Sequence, residues 1–185
     1  MKAKSSSQAA KTKVAKKKTV RRKSRAAVID LVPSVFKLKK ILVPLDFSDH
    51  STKALKYAIK FAQQFGAHID LLHVVEPAVY PEGMIIPPDM EDINTSLEKQ
   101  AVKTLKKTAS QTIPKGVAWS IAVRVGSPYS EIVELARKTE TDLLIITTHG
   151  YTGLKHFVMG STAERIVRHA PCPVLTVRDT EHEFV

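Results

Sequence analysis

The chain has 185 residues, 43% of them hydrophobic, with a formal net charge of +11. That length holds one domain with a sizeable core plus extras, and no apolar run nears the roughly 20 residues of a membrane span. The charge points to nucleic acid until it is mapped: eleven of the 29 Lys and Arg, and none of the 18 Asp and Glu, fall in residues 1–25, so the remainder balances 18 against 18.

Residues 1–36 read as a basic tail, with almost no large apolar residue before Ala26. Such a segment cannot bury enough surface to offset its ordering entropy, so disorder is expected. It lacks the apolar core of a secretory signal. A transit peptide is an alternative, but Lys outnumbers Arg and helical amphipathicity is poor. A polybasic arm touching phosphate backbones through residues 1–25 and a plain solubilising extension both stay open. No aromatic precedes Phe36, so base stacking by the arm is not expected. The folded domain is expected over residues 37–180, with 181–185 as a short C-terminal tail.

Lys40-Ile41-Leu42-Val43-Pro44-Leu45 is a β-rich run closed by proline, the first strand. Asp46-Phe47-Ser48-Asp49 follows as a polar turn in which Ser48 or Asp49 can cap a helix. Ala54, Leu55, Ala58, Ile59 and Ala62 recur at helical spacing, and Gly66 supplies the stop. Ile69 to Val75 is the second strand, and this β-α-β order predicts a right-handed crossover and a parallel sheet. From Glu76 to about Ile93 runs a Pro-rich connection, either a lid or binding loop or a plain surface excursion. Asn94 or Ser96 can cap a second helix reaching about Thr112, which Pro114 and Gly116 break.

Val117 to Val125 alternates and ends at Gly126, the third strand. Ser127-Pro128 opens a helix through Ile132, Val133, Leu135 and Ala136, with proline at a tolerated first-turn position. Asp142 to Ile146 is an apolar run that reads as a buried parallel strand. Behind it comes Thr147-Thr148-His149-Gly150-Tyr151-Thr152-Gly153, continuing to Gly160-Ser161-Thr162, with three of the chain's seven glycines. A helix is expected from about Ala163 to His169. Cys172, the single cysteine, excludes an intramolecular disulfide and fits a reducing compartment, so a cytoplasmic location is expected. Between Pro171 and Pro173 it reads as a packed thiol. Val174-Leu175-Thr176-Val177 is the fifth strand. The whole predicts an α/β domain, a doubly wound five-stranded parallel sheet with helices on both faces.

A strand ending in a Gly-rich turn before a helix is where open α/β sheets hold phosphate. Glycine lets amides approach oxyanions, and the helix N-terminus adds unpaired donors. The spacing is neither Walker A nor the dinucleotide fingerprint, and the Walker lysine is missing. Asp46, just beyond the first strand, can accept from a ribose hydroxyl, help hold a divalent cation such as Mg²⁺, or serve helix capping. Ser161 and Glu164 have capping-box spacing, and the same geometry would turn the Ser161 hydroxyl and the Thr162 N–H toward a phosphate. His149 can contact phosphate, and His73 reads as packed rather than reactive. His149 and His156 lie seven apart, but no ligand cluster with a known zinc spacing surrounds them. No nucleophile elbow is present, so no hydrolytic machinery is legible.

These residues resemble the universal stress protein family. Its nucleotide-binding branch reads Gly, two residues, Gly, nine residues, Gly, then Ser or Thr. Gly150, Gly160 and Ser161 fit this pattern, while Thr147 stands where the first glycine is expected. Pro44-Leu45-Asp46-Phe47-Ser48, His73-Val74, Thr148 to Gly153, Gly160 to Glu164 and Pro171 to Val174 carry the likeness, which spans Lys39 to Arg178. The resemblance implies a Rossmann-like, adenine nucleotide α hydrolase-like fold binding ATP or AMP at the carboxyl edge of the sheet. Adenine would sit near Val74, ribose near Asp46, and phosphate on Gly150, Gly153, Gly160 and Ser161. Pro44, Leu45, Ser48, Thr147, Thr148, His149 and Thr162 complete the expected site. The resemblance also implies homodimers paired through Val174, Leu175, Thr176 and Val177, an otherwise open edge. Ser161 and Thr162 are the acceptors it implies if the protein phosphorylates itself, and ATP hydrolysis, if any, would be slow. A nucleotide-independent interaction protein, favoured by Thr147, and a tail-directed nucleic-acid-associated protein are the competing readings.

Overall fold

A computed structural model describes residues 37–77, 90–148 and 159–178 of the chain. The basic tail, most of the Pro-rich connection, the centre of the Gly-rich turn and the last seven residues lie outside them. Among the described residues the order is β1 (Lys40–Pro44), α1 (Asp49–Phe65), β2 (His68–Val75), α2 (Met90–Thr112), β3 (Trp119–Val125), α3 (Pro128–Lys138), β4 (Leu143–Thr147), α4 (Ser161–His169) and β5 (Val174–Val177).

All strand pairs are parallel, and the sheet runs β3-β2-β1-β4-β5. The apolar strand runs are explained by burial on both sides. In β1, Ile41 and Val43 face one cluster, shared with Ile69, Leu71 and Ile145, while Leu42 faces the other with Leu72, Leu144 and Ile146. The period of two thus sends alternate side chains into two cores. α1 and α2 cover the first core and α3 and α4 the second. The α1 row Ala54, Ala58, Ala62 and the α2 row Ala101, Leu105, Ala109 recur at four-residue steps on the buried side. Their small residues let both helices lie close against the sheet.

Local chemistry sets the ends. Gly66 takes a left-handed φ of 70° and returns its N–H to the Ala62 carbonyl (2.8 Å), closing α1. Pro128 sits in the first turn of α3. Several expected boundaries shift, among them those of α2, β3, β4 and the start of α4, which is at Ser161 rather than Ala163. α2 begins at Met90 and runs through Asn94 and Ser96 rather than starting at a cap there. No proline or glycine follows Pro88 until Pro114, so nothing in the chain breaks a helix over that stretch. β3 begins at Trp119, because Val117 is held in a turn by the Pro114 carbonyl (3.3 Å). β4 ends one residue later, at Thr147, and Asp142 instead accepts the N–H groups of Lys39 (2.8 Å) and Lys40 (2.9 Å).

The strand order reverses between β1 and β4. The loops leaving those two strands therefore part in opposite directions at the carboxyl edge, and a crevice opens between them.

Candidate functional site

The β1 side of that crevice is a turn locked from several directions. Leu45 donates its N–H to the Leu72 carbonyl (2.7 Å), prolonging the ladder past the strand end. Asp46 folds its carboxylate forward, and Oδ1 accepts both the Ser48 N–H (3.0 Å) and the Ser48 hydroxyl (2.5 Å). Ser48 is the N-cap of α1, with Oγ accepting from the Ser51 N–H (3.1 Å). Between them Phe47 has φ 63°, a left-handed conformation costly for a bulky residue. Its ring stacks on His73 with centroids 4.2 Å apart. His73 also reaches the Leu45 carbonyl through Nδ1 at 2.7 Å. A carbonyl can only accept, so Nδ1 carries the proton.

The β4 side is assembled by backbone. Thr147 pairs with Val177, and the buried Thr148 donates its N–H to the Val177 carbonyl (3.1 Å). The Thr148 carbonyl then accepts the Gly160 N–H (2.9 Å), tying the start of α4 to the end of β4. A Cβ on Gly160 would stand 3.4 Å from that carbonyl, at the edge of ordinary van der Waals contact. The Gly160 amide is therefore not a phosphate donor here. Gly160 is itself the N-cap of α4, and the first intrahelical bond runs from the Glu164 N–H to its carbonyl (2.9 Å). The Ser161, Thr162 and Ala163 amides precede that bond and have no partner within the helix.

The capping box expected from Ser161 and Glu164 is not formed. Ser161 is already helical, no side-chain cap is present, and Glu164 pairs with Arg168 (2.9 Å). A glycine cap leaves the serine hydroxyl exposed at the helix start, and the glutamate turns along the helix to its i+4 neighbour.

Pro44, Leu45, Asp46, Val74, Thr147 and Thr162, all among the expected site residues, line one cleft at this edge. Leu72, Ile146 and Ile132 give it an apolar floor. Ser48 lies behind Asp46 as its partner rather than on the wall. Ser161 stands at the α4 terminus beside Thr162. His149, Gly150 and Gly153 lie outside the described residues. Sequence reasoning missed His73, Glu76, Pro128 and Ile132 in the lining. His73 carried the signal of a polar residue inside an apolar strand, whereas Pro128 and Ile132 come from α3, far along the chain, and had none. Among the described residues no three His, Cys, Asp or Glu side chains gather to hold a metal.

Residues 37–178 match the Universal stress protein family. The chain belongs to that family. Universal stress protein MJ0531 of Methanocaldococcus jannaschii is 37% identical over 145 residues, covering 78% of this chain and 85% of that protein. The solved structure of the hypothetical protein MJ0577 superposes with a TM-score of 0.69 at 27% identity, covering 80% of this chain and 100% of that one. A universal stress protein solved in complex with cAMP shares the fold at 20% identity, with a TM-score of 0.52 and coverage of 77% and 98%. In this universal stress protein Thr147 occupies the last position of β4, paired to β5.

Proposed function

We propose that this universal stress protein binds an adenine nucleotide, ATP or AMP, in the β1/β4 crevice and acts as a nucleotide-dependent regulatory or interaction module. The observation that carries the reading is the convergence, at the reversal of strand order, of a braced carboxylate, the β2 end at Val74 and the amides opening α4. Adenine lies against Val74, the ribose against Asp46, and phosphate over Ser161, Thr162 and the Gly-rich turn. The α4 terminus supplies N–H donors and a positive dipole end to that phosphate. Mg²⁺ is commonly held through one or two carboxylates together with substrate phosphates. Asp46 suits that role only when a nucleotide brings the remaining oxygens. In this reading bound nucleotide shifts a conformational population by its differential affinity.

Titration calorimetry with ATP·Mg²⁺, AMP and cAMP tests the proposal on wild type, Asp46→Ala and Gly150→Val. Wild type gives saturable heat, and Asp46→Ala weakens affinity about tenfold, near 1.4 kcal/mol. No heat at millimolar ATP would refute it in favour of a nucleotide-independent interaction protein. β5 is an edge strand, and the proposal includes pairing of two copies along it, which hides that edge.

A second reading concerns residues 1–25, whose eleven cations stand without one anion. That arm contacts nucleic-acid phosphate without base preference, marked by steep salt dependence.

A further inference from the structure

The even balance of acids and bases in the domain conceals a separation of charge that folding creates. From His50 to Phe65 in α1 and from Lys99 to Thr112 in α2 there are seven lysines and no acid. Lys53 donates to the Arg178 carbonyl (2.9 Å). The other six, Lys56, Lys60, Lys99, Lys103, Lys106 and Lys107, are all exposed. Both helices bury their opposite sides in the same core, so the six lysines share the outer layer of one face of the molecule. Among the described residues none of the six is ion-paired.

The spacing is regular. Lys56 and Lys60, then Lys99, Lys103, Lys106 and Lys107, recur at three- and four-residue steps that keep them on one side of each helix. Like charges at that spacing destabilise a helix, and a solvated helix face ordinarily interleaves the two signs. α3, on the other face, does so with Glu131 and Glu134 against Arg137 and Lys138. A counter-polyanion would relieve the repulsion along α1 and α2.

We propose that the α1/α2 face docks the phosphate backbone of nucleic acid, independently of base sequence. Lysine ammonium groups are point charges suited to a phosphate rather than to bidentate base reading. The exposed large apolar residues of the described chain are Phe47, Ile93, Leu97, Val125 and Val167, none within 50–65 or 99–112. Within those stretches no ring stands free for base stacking: Tyr57 is buried, and Phe61 and Phe65 are half-buried and stacked on each other. Ile93 and Leu97 lie on α2 ahead of Lys99, so the lysine stretches themselves carry no exposed large apolar residue to serve as the wedge that an interfacial helix requires. The inference stands apart from the nucleotide proposal, and it puts phosphate contacts on the folded domain in addition to the tail.

The test measures anisotropy of a fluorescent DNA duplex titrated with the full chain between about 50 and 200 mM salt. Two matched double variants change net charge equally on opposite faces, Lys103→Glu/Lys107→Glu and Arg137→Glu/Lys138→Glu. All four residues are exposed, and melting curves check that both variants fold. The α2 double should lose affinity at least about tenfold and flatten the log K against log salt slope by about 2, while the α3 double stays within about twofold. Removing residues 1–25 should weaken binding yet preserve the difference between the doubles. Equal effects of the two doubles, a difference that vanishes with the tail, or no duplex binding by wild type would each overturn the proposal. So would tighter, equally α2-dependent binding to phosphatidylserine-containing vesicles than to the duplex.

Discussion

His73 reaches across from β2 to hold the turn that presents Asp46. Its Nδ1–H fixes the Leu45 carbonyl and its ring supports Phe47 in a left-handed conformation. Replacing it by leucine removes the donor and leaves the turn free to relax. His73→Leu is expected to weaken nucleotide affinity about tenfold, whereas His73→Asn, whose amide can donate to the same carbonyl, stays within about threefold. Calorimetry on the two variants decides between a positioning role and simple filling of space. Gly126 is set by backbone rather than by volume. Its φ is 153°, and a Cβ there would meet Oε1 of Glu131 at 2.8 Å, the far end of a side chain that can swing away. Gly126→Ala should still cost about 1–3 kcal/mol in urea denaturation, because the strain lies in φ. Cys172 is partly buried on the α3/α4 side, and burial raises its thiol pKa above the usual value, against a lowering hydrogen bond at Leu144. A raised pKa means less thiolate, so alkylation by iodoacetamide at pH 8 should be slower than for a free thiol. The matching stability contribution is present below the unfolded thiol pKa and lost as pH rises through the folded one.

At the scale of elements, the two helix starts at the crevice are built by different means. α1 begins at a side-chain cap, and the capping hydroxyl of Ser48 is also the donor to Asp46. Ser48→Ala therefore removes two interactions at once. It should cost about 1 kcal/mol of stability from the cap and, by loosening Asp46, lower nucleotide affinity as well. A melting curve and a titration on the same variant separate the two effects. If stability falls and affinity is untouched, Asp46 does not depend on the cap for its placement. α4 begins at a glycine bound to the Thr148 carbonyl, so its terminus is tied to β4 by backbone alone. That is why the Ser161–Glu164 spacing misled: the spacing is compatible with a capping box, but the close Gly160–Thr148 contact sets the helix start one residue earlier. In α2, a polar stretch with two plausible caps lies inside a longer helix, because burial of Leu105 and Ala109 against the sheet outweighs local preference.

For the whole molecule, two surfaces carry the proposals above, the β5 edge and the lysine face. Sedimentation at micromolar protein should show a dimer if β5 pairs between copies, and a monomer there would rule that pairing out. Element order, strand number and the parallel sheet were legible in the chain, since apolar runs of four to eight residues separated by amphipathic helices have few other ways to bury themselves. Asp46 was legible as a candidate because it directly follows β1, where the sheet itself gathers ligand groups, whereas Val74 was singled out only through the family resemblance. Three features were not. The brace from His73 joins residues 28 apart in the chain, and the left-handed Phe47 bears no local mark that a glycine or asparagine would leave. The lysine face is the third: summed along the sequence, 18 acids cancel 18 bases outside the tail. Composition is a sum and discards position, whereas packing α1 and α2 on one core turns their exposed sides the same way and makes a neutral domain basic on one face.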